Sequence, residues 1–98
     1  MQYIESDSLN QLFDAIVSLK SREECSKFFE DICTVKELEA ISQRFLVARQ
    51  LDEGKNYIDV SCGTGASSAT ISRVNKCLNY SDGYRMVLDR LKRSGDKQ

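Results

Sequence analysis

Ser67, Ser68, Ser72, Arg73 and Lys76 fall on one side of a helix when residues 67–78 are wound at about 3.6 residues per turn. Serine hydroxyls reach phosphate oxygens or base edges. An arginine pairs in bidentate fashion with guanine, a contact worth about 1–3 kcal/mol of discrimination. A lysine displaces counterions from a phosphate backbone, and the start of a helix favours an anion. Ala69 is small enough for close approach, and its methyl can meet that of a thymine. This is the chemistry of duplex contact rather than of bond making.

Other chemistries lack their parts. The chain has no histidine, and Cys25, Cys33, Cys62 and Cys77 contain no C-x-x-C pair, so no metal site is expected. Neither Cys62 nor Cys77 has a histidine to activate it, and the four thiols read as reduced and mostly buried. Gly63-x-Gly65 lacks the Gly-Lys-Ser/Thr of a phosphate loop and the third glycine and preceding strand of a dinucleotide fingerprint, so no cofactor is expected. Glu23-Glu24, Glu30-Asp31 and Asp52-Glu53 read as solvated helix surfaces or ends. No catalytic residue emerges, and the chain is read as not an enzyme.

The outward residues need a corner to present them. Val60, Ile71 and Val74 are spaced to meet in the angle between two short helices, with Ser61 small enough for a close crossing. Gly65 falls where the turn needs a positive φ. Residues 57–78 therefore read as a helix-turn-helix: a helix over Tyr57–Cys62 capped by Asn56, a turn over Gly63–Ala66, and an outward-facing helix over Ser67–Leu78. Many such hairpins bind no nucleic acid. The alternative is a dimeric helical protein-interaction module whose basic half meets an acidic partner.

The remaining elements are helical as well. There is no proline, and the β-branched residues are scattered, so the chain reads as all-α. Leu9, Leu12, Phe13, Ile16 and Leu19 mark a first helix over Ser8–Lys20, capped by Asp7 or Ser8. Ser21-Arg-Glu-Glu24 opens a second, through Ile32, with Cys25, Phe28, Phe29 and Ile32 inside. Thr34-Val-Lys-Glu37 opens the longest, to Glu53, with Gly54 as its stop. Its stripe of Val35, Leu38, Ile41, Phe45, Ala48 and Leu51, widened by Leu46 and Val47, exceeds what a small monomer covers and points to a partner subunit. Asn79–Gly83 reads as a loop. A last helix over Tyr84–Lys92 has Tyr84, Val87, Leu88 and Leu91 on one side, and a frayed tail is expected from Ser94 to Gln98.

With 98 residues the chain reads as one domain, 1–98. Met1–Asp59 holds 7 Lys+Arg and 12 Asp+Glu, whereas Val60–Gln98 holds 7 and 3, so the basic half contains the helix-turn-helix. That suits phosphate contact, as well as an ordinary solvated face. Met1–Asn10 does not read as a signal peptide, and no stretch is long enough to cross a bilayer, which places the protein in the cytoplasm with no membrane partner.

Thr64-Gly-Ala-Ser-Ser-Ala-Thr-Ile-Ser-Arg-Val-Asn-Lys-Cys-Leu78 resembles the recognition helix of the Trp repressor superfamily. With Thr34-Val-Lys-Glu-Leu-Glu-Ala-Ile41, Gln43-Arg44 and the Glu53-Gly54 stop, the chain is similar to the YerC/YecD branch, over about Leu9 to Leu91. The resemblance implies a six-helix, intertwined homodimer whose two helix-turn-helix heads face successive major grooves about 34–36 Å apart and read a palindromic operator in double-stranded DNA, as a transcriptional regulator. It puts the DNA-facing residues at Ser68, Ala69, Thr70, Ser72 and Arg73; spacing alone leaves Thr70 ambiguous. It also implies an effector site at Arg44 and Arg73, with Thr34 supplied by the partner subunit. Other pocket positions depart: two leucines become Asp31 and Cys33, a glycine becomes Val74 and a serine Cys77, and the stretch before the turn is one residue shorter. A carboxylate beside an apolar ring and a β-branched side chain in the ring's space both oppose tryptophan, so no tryptophan response is expected. Arg44 then has an alternative role, pairing with a surface carboxylate.

Overall fold

The computed structural model describes residues 6–95 and contains six helices: α1 (Asp7–Val17), α2 (Arg22–Ile32), α3 (Val35–Asp52), α4 (Tyr57–Thr64), α5 (Ser68–Tyr80) and α6 (Gly83–Gly95). No strand occurs among the described residues. The expected tail ends differently, since Ser94 and Gly95 complete α6; its remainder, and the chain's first five residues, lie outside those described.

Helix starts are set by side-chain oxygens that satisfy otherwise orphaned N–H groups. Ser6 accepts from the Leu9 N–H at 3.1 Å, so the first cap is Ser6 rather than Asp7 or Ser8. α1 ends at Val17, short of Lys20. Ser18 Oγ donates back to the Ala15 carbonyl at 2.6 Å, and the Lys20 N–H is drawn to Glu24 Oε1 at 2.8 Å. Ser21 caps α2 by accepting from the Glu24 N–H. At α3 the capping box closes in both directions: Thr34 Oγ1 accepts from the Glu37 N–H at 3.1 Å, and Glu37 Oε1 accepts from the Thr34 N–H at 2.8 Å. Gly54 follows α3 with φ of 91°, as a helix-stop glycine should. The last loop is shorter than expected because α5 continues through Asn79 and Tyr80, where Asn79 Nδ2 donates to Asn75 Oδ1 one turn back.

The chain divides into two compact units, Met1–Leu38 and Glu39–Gln98. In the first, the described residues include no buried side chain. Phe28 and Phe29 meet edge to face, with centroids 5.5 Å apart. The second unit holds the core: Val47, Ala48, Val60, Ala66, Ile71, Val74, Leu78 and Leu88, with Phe45, Leu51 and Tyr84 against it. Val47 is central to this cluster rather than at the edge of the α3 stripe, while Val35, Ile41 and Leu46 are exposed. Each fully buried aliphatic side chain contributes about 1.5–3 kcal/mol.

α6 is pinned to the end of α3 by charge. The Asp52 side chain is 7% exposed and accepts from Arg85 Nη1 at 2.5 Å and from Lys92 Nζ at 2.7 Å. Hydrogen bonds from Lys92 first, and Arg85 second, hold its carboxyl below the ordinary value near 3.8, against the desolvation that would raise it. A depressed carboxylate stabilises the fold above its unfolded pKa, and that contribution is lost as pH falls through the folded one. Urea unfolding measured stepwise below about pH 4 should therefore show a steeper loss of stability for the wild type than for Asp52→Asn; parallel profiles would remove Asp52 as a determinant. Gly65→Ala should lower stability by about 1–2 kcal/mol in the same assay, because φ there is 73° while the nearest atom to an added Cβ is 4.0 Å away. An unchanged midpoint would mean that the corner relaxes.

Candidate nucleic-acid interface

The corner between α4 and α5 combines a backbone device with an apolar wedge. Gly65 is left-handed, and its N–H donates to the Ser61 carbonyl at 2.9 Å. Val60, Ile71 and Val74 are all buried, the meeting that their spacing requires. Ser61 Oγ donates to the Ala66 carbonyl at 3.2 Å, so its small size comes with a polar tie. Thr64 Oγ1 donates to the Val60 carbonyl and accepts from the Ala66 N–H.

The turn is shorter than the sequence reading puts it. Gly63 and Thr64 belong to α4, leaving only Gly65, Ala66 and Ser67 between the helices. Gly63 serves close approach rather than turning: a Cβ there would lie 3.1 Å from Gln50 Oε1 of α3. α5 begins at Ser68, and Ser67 is its cap, with Oγ accepting from the Thr70 N–H.

Opposite the buried face of α5, Ser68, Ala69, Ser72, Arg73 and Lys76 are exposed, as is Ser67 just before the helix. Thr70 differs. It is half-buried, its Oγ1 accepts from Ser67 Oγ at 3.1 Å, and it lines a pocket. The cations of the basic half also divide. Arg85 and Lys92 are committed to Asp52, whereas Arg73, Lys76, Arg90 and Arg93 are exposed and in no ion pair among the described residues.

The pocket holds about 270 Å³ and is lined by Arg44, Thr70, Arg73, Val74, Cys77 and Tyr84, all from the second unit. It brings Arg44 and Arg73 together. Arg44 pairs with no carboxylate among the described residues. Thr34 has its hydroxyl engaged as the α3 cap. Tyr84 was legible only as an inward residue of α6; the position of its polar end could not be read from spacing. Its hydroxyl pKa is pushed up by burial first and by Cys77 beside it, with Arg44 and Arg73 pulling the other way.

A second concavity of about 280 Å³ lies on the other side of the corner, lined by Tyr57, Ile58, Ser61, Cys62, Ser68 and Ile71. The expectation that the cysteines are mostly buried fails: Cys25 and Cys62 are exposed, and Cys33 and Cys77 are half-buried. Cys25 and Cys33 lie in the unit whose described residues include no buried side chain, and Cys62 borders the open concavity. Among the described residues no cluster of His, Cys, Asp or Glu could hold a metal ion, and no helix is long and apolar enough to cross a membrane.

Comparison with known proteins agrees with this geometry. The family described as Trp repressor protein matches residues 7–92. The uncharacterised protein YerC of Bacillus subtilis is 52% identical over 90 residues, covering 91% of this chain and 86% of that protein. A TrpR-like protein from Eubacterium eligens superposes with a TM-score of 0.87 at 52% identity, over 90% of this chain and 92% of its own. A Staphylococcus aureus protein described as a candidate Trp repressor gives 0.86 at 46% identity, over 90% and 89%. With the all-helical fold, the left-handed corner and the matched span in agreement, the chain belongs to the Trp repressor family.

Proposed function

We propose that the protein is a cytoplasmic, dimeric, sequence-specific DNA-binding regulator of transcription that reads a palindromic operator. The observation that carries this reading is the two-sidedness of α5. Ile71, Val74 and Leu78 are buried, while Ser68, Ala69, Ser72, Arg73 and Lys76 face outward from a helix start just past a fixed corner. Arg73 discriminates bases, Lys76 neutralises phosphate, and the serines, Ala69 and Thr70 give close fit. Ser67 contributes through its position at the helix start, where backbone N–H groups favour an anion.

Dimerisation is supported by the first unit. Helices that bury no side chain, with Val17 82% and Val35 74% exposed, lack the core that keeps a domain folded alone. A second copy supplies that cover. The pocket containing Arg44 and Arg73 is read as an effector site that Thr34 of the partner subunit completes. Val74 and Cys77 stand in its wall, where the resemblance puts a glycine and a serine, and these departures oppose an indole.

Binding to a duplex selected from a random library, measured by gel shift at stated salt, tests the reading. Arg73→Ala should cost about 1–3 kcal/mol and relax preference at one base position. Lys76→Ala should weaken all duplexes alike and reduce the log–log salt slope by about one. If the wild type binds no duplex at low salt, the basic half serves a protein partner instead. Isothermal titration with tryptophan should give no saturable heat; micromolar binding would overturn the reading of the pocket.

A further inference from the structure

Two amides of α3 lie against the last turn of α4. Gln43 and Gln50 are seven residues apart on α3, which places them on one face. Gln43 Nε2 donates to the Thr64 carbonyl at 3.2 Å, a contact across 21 residues of chain. The final carbonyls of a helix have no partner within it, so this bond satisfies a group that would otherwise need water. About two turns further along α3, Gln50 Oε1 is buried, has no hydrogen-bond partner among the described residues, and faces Gly63. The Gln43 amide also stands 4.0 Å from where a Cβ of Gly65 would be. Leaving aside the chain neighbours, no other atom stands within 4 Å of that point among the described residues.

We propose that Gln43 is a positioning residue: by holding the Thr64 carbonyl, it fixes the direction in which α5 leaves the corner, and thereby the aim of Ser68, Ser72 and Arg73. The inference rests on the reading of α5 as the DNA-facing helix. It goes beyond that reading because Gln43 lies on α3, outside the helix-turn-helix, and is half-buried. The remaining ties at the corner are internal to it: Ser61 to Ala66, and Thr64 to Val60 and Ala66. They shape the turn, but none connects it to α3. Thr64 Oγ1 holds the turn and the Thr64 carbonyl holds the scaffold, so the two functions meet in one residue.

The test uses the full chain carrying Gln43→Met, which keeps length and helix propensity but removes the donor, and Gln43→Lys, which returns one. Amide hydrogen exchange of the free protein is read first. In Gln43→Met the Gly65 and Ala66 amides should exchange about tenfold faster, the worth of one hydrogen bond. The Val74 and Leu78 amides should keep the wild-type rate, and Gln43→Lys should recover it at Gly65 and Ala66. The ratio of affinities for a library-selected duplex and its scrambled counterpart is read second. It should fall about tenfold in Gln43→Met, with the salt slope unchanged. Unchanged exchange at the corner overturns this inference alone. Exchange raised evenly along α5 together with a lower melting temperature also overturns it, because Gln43 is then an ordinary stabilising contact. A wild type that binds both duplexes equally sinks the DNA reading, and the positioning role with it.

Discussion

The left-handed backbone at Gly65 sets where the outward side chains of α5 point. A residue with φ of 73° turns the chain sharply out of α4 while still donating its N–H to Ser61. The new helix starts two residues later, capped by Ser67. Val60 on one side and Ile71 and Val74 on the other then fill the angle, so the turn and the apolar wedge specify the same crossing. The polar atoms around the turn are used locally, by Ser61 and Thr64, which leaves little freedom for an alternative path. Hydroxyls and a guanidinium that would be ordinary surface on an isolated helix acquire a common direction from this corner.

Electrostatics completes the scaffold and also limits what the net charge means. The basic character of the second half of the chain is partly internal, because Asp52 lies between Arg85 and Lys92 and ties α6 to the end of α3. A largely buried carboxylate with two cationic donors is well compensated, whereas either cation alone would leave more of its charge unsatisfied. Arg73 and Lys76, both on α5, are exposed and stand outside that network. The field that a polyanion would meet is thus narrower than a count of lysines and arginines implies.

Much of this was legible in the sequence. Two capping boxes, an Asn cap and two glycines of positive φ follow from residue types that do one thing well, and each stands within a residue or two of its expected place. Gly63 was misread because glycine has two uses. It can bend the chain, or it can allow another element to come close, and spacing along one chain does not distinguish them. Here the close neighbour is Gln50, thirteen residues earlier, and only the folded arrangement brings it near. The same non-locality concealed the carbonyl contact of Gln43, the polar end of Tyr84 and the pairing of Asp52 with α6. The breadth of the α3 stripe was visible, but which of its members are covered was not. Val47 is buried and Val35 is open, although both stand on α3.

Thr70 and Arg73 belong to two surfaces at once. Both line the pocket with Arg44 and Tyr84, and both stand on α5 beside the exposed Ser68, Ala69, Ser72 and Lys76. Substitution at either position rewrites the outer face and the pocket wall together. The two surfaces cannot drift independently, so a lineage that changes one inherits a change in the other.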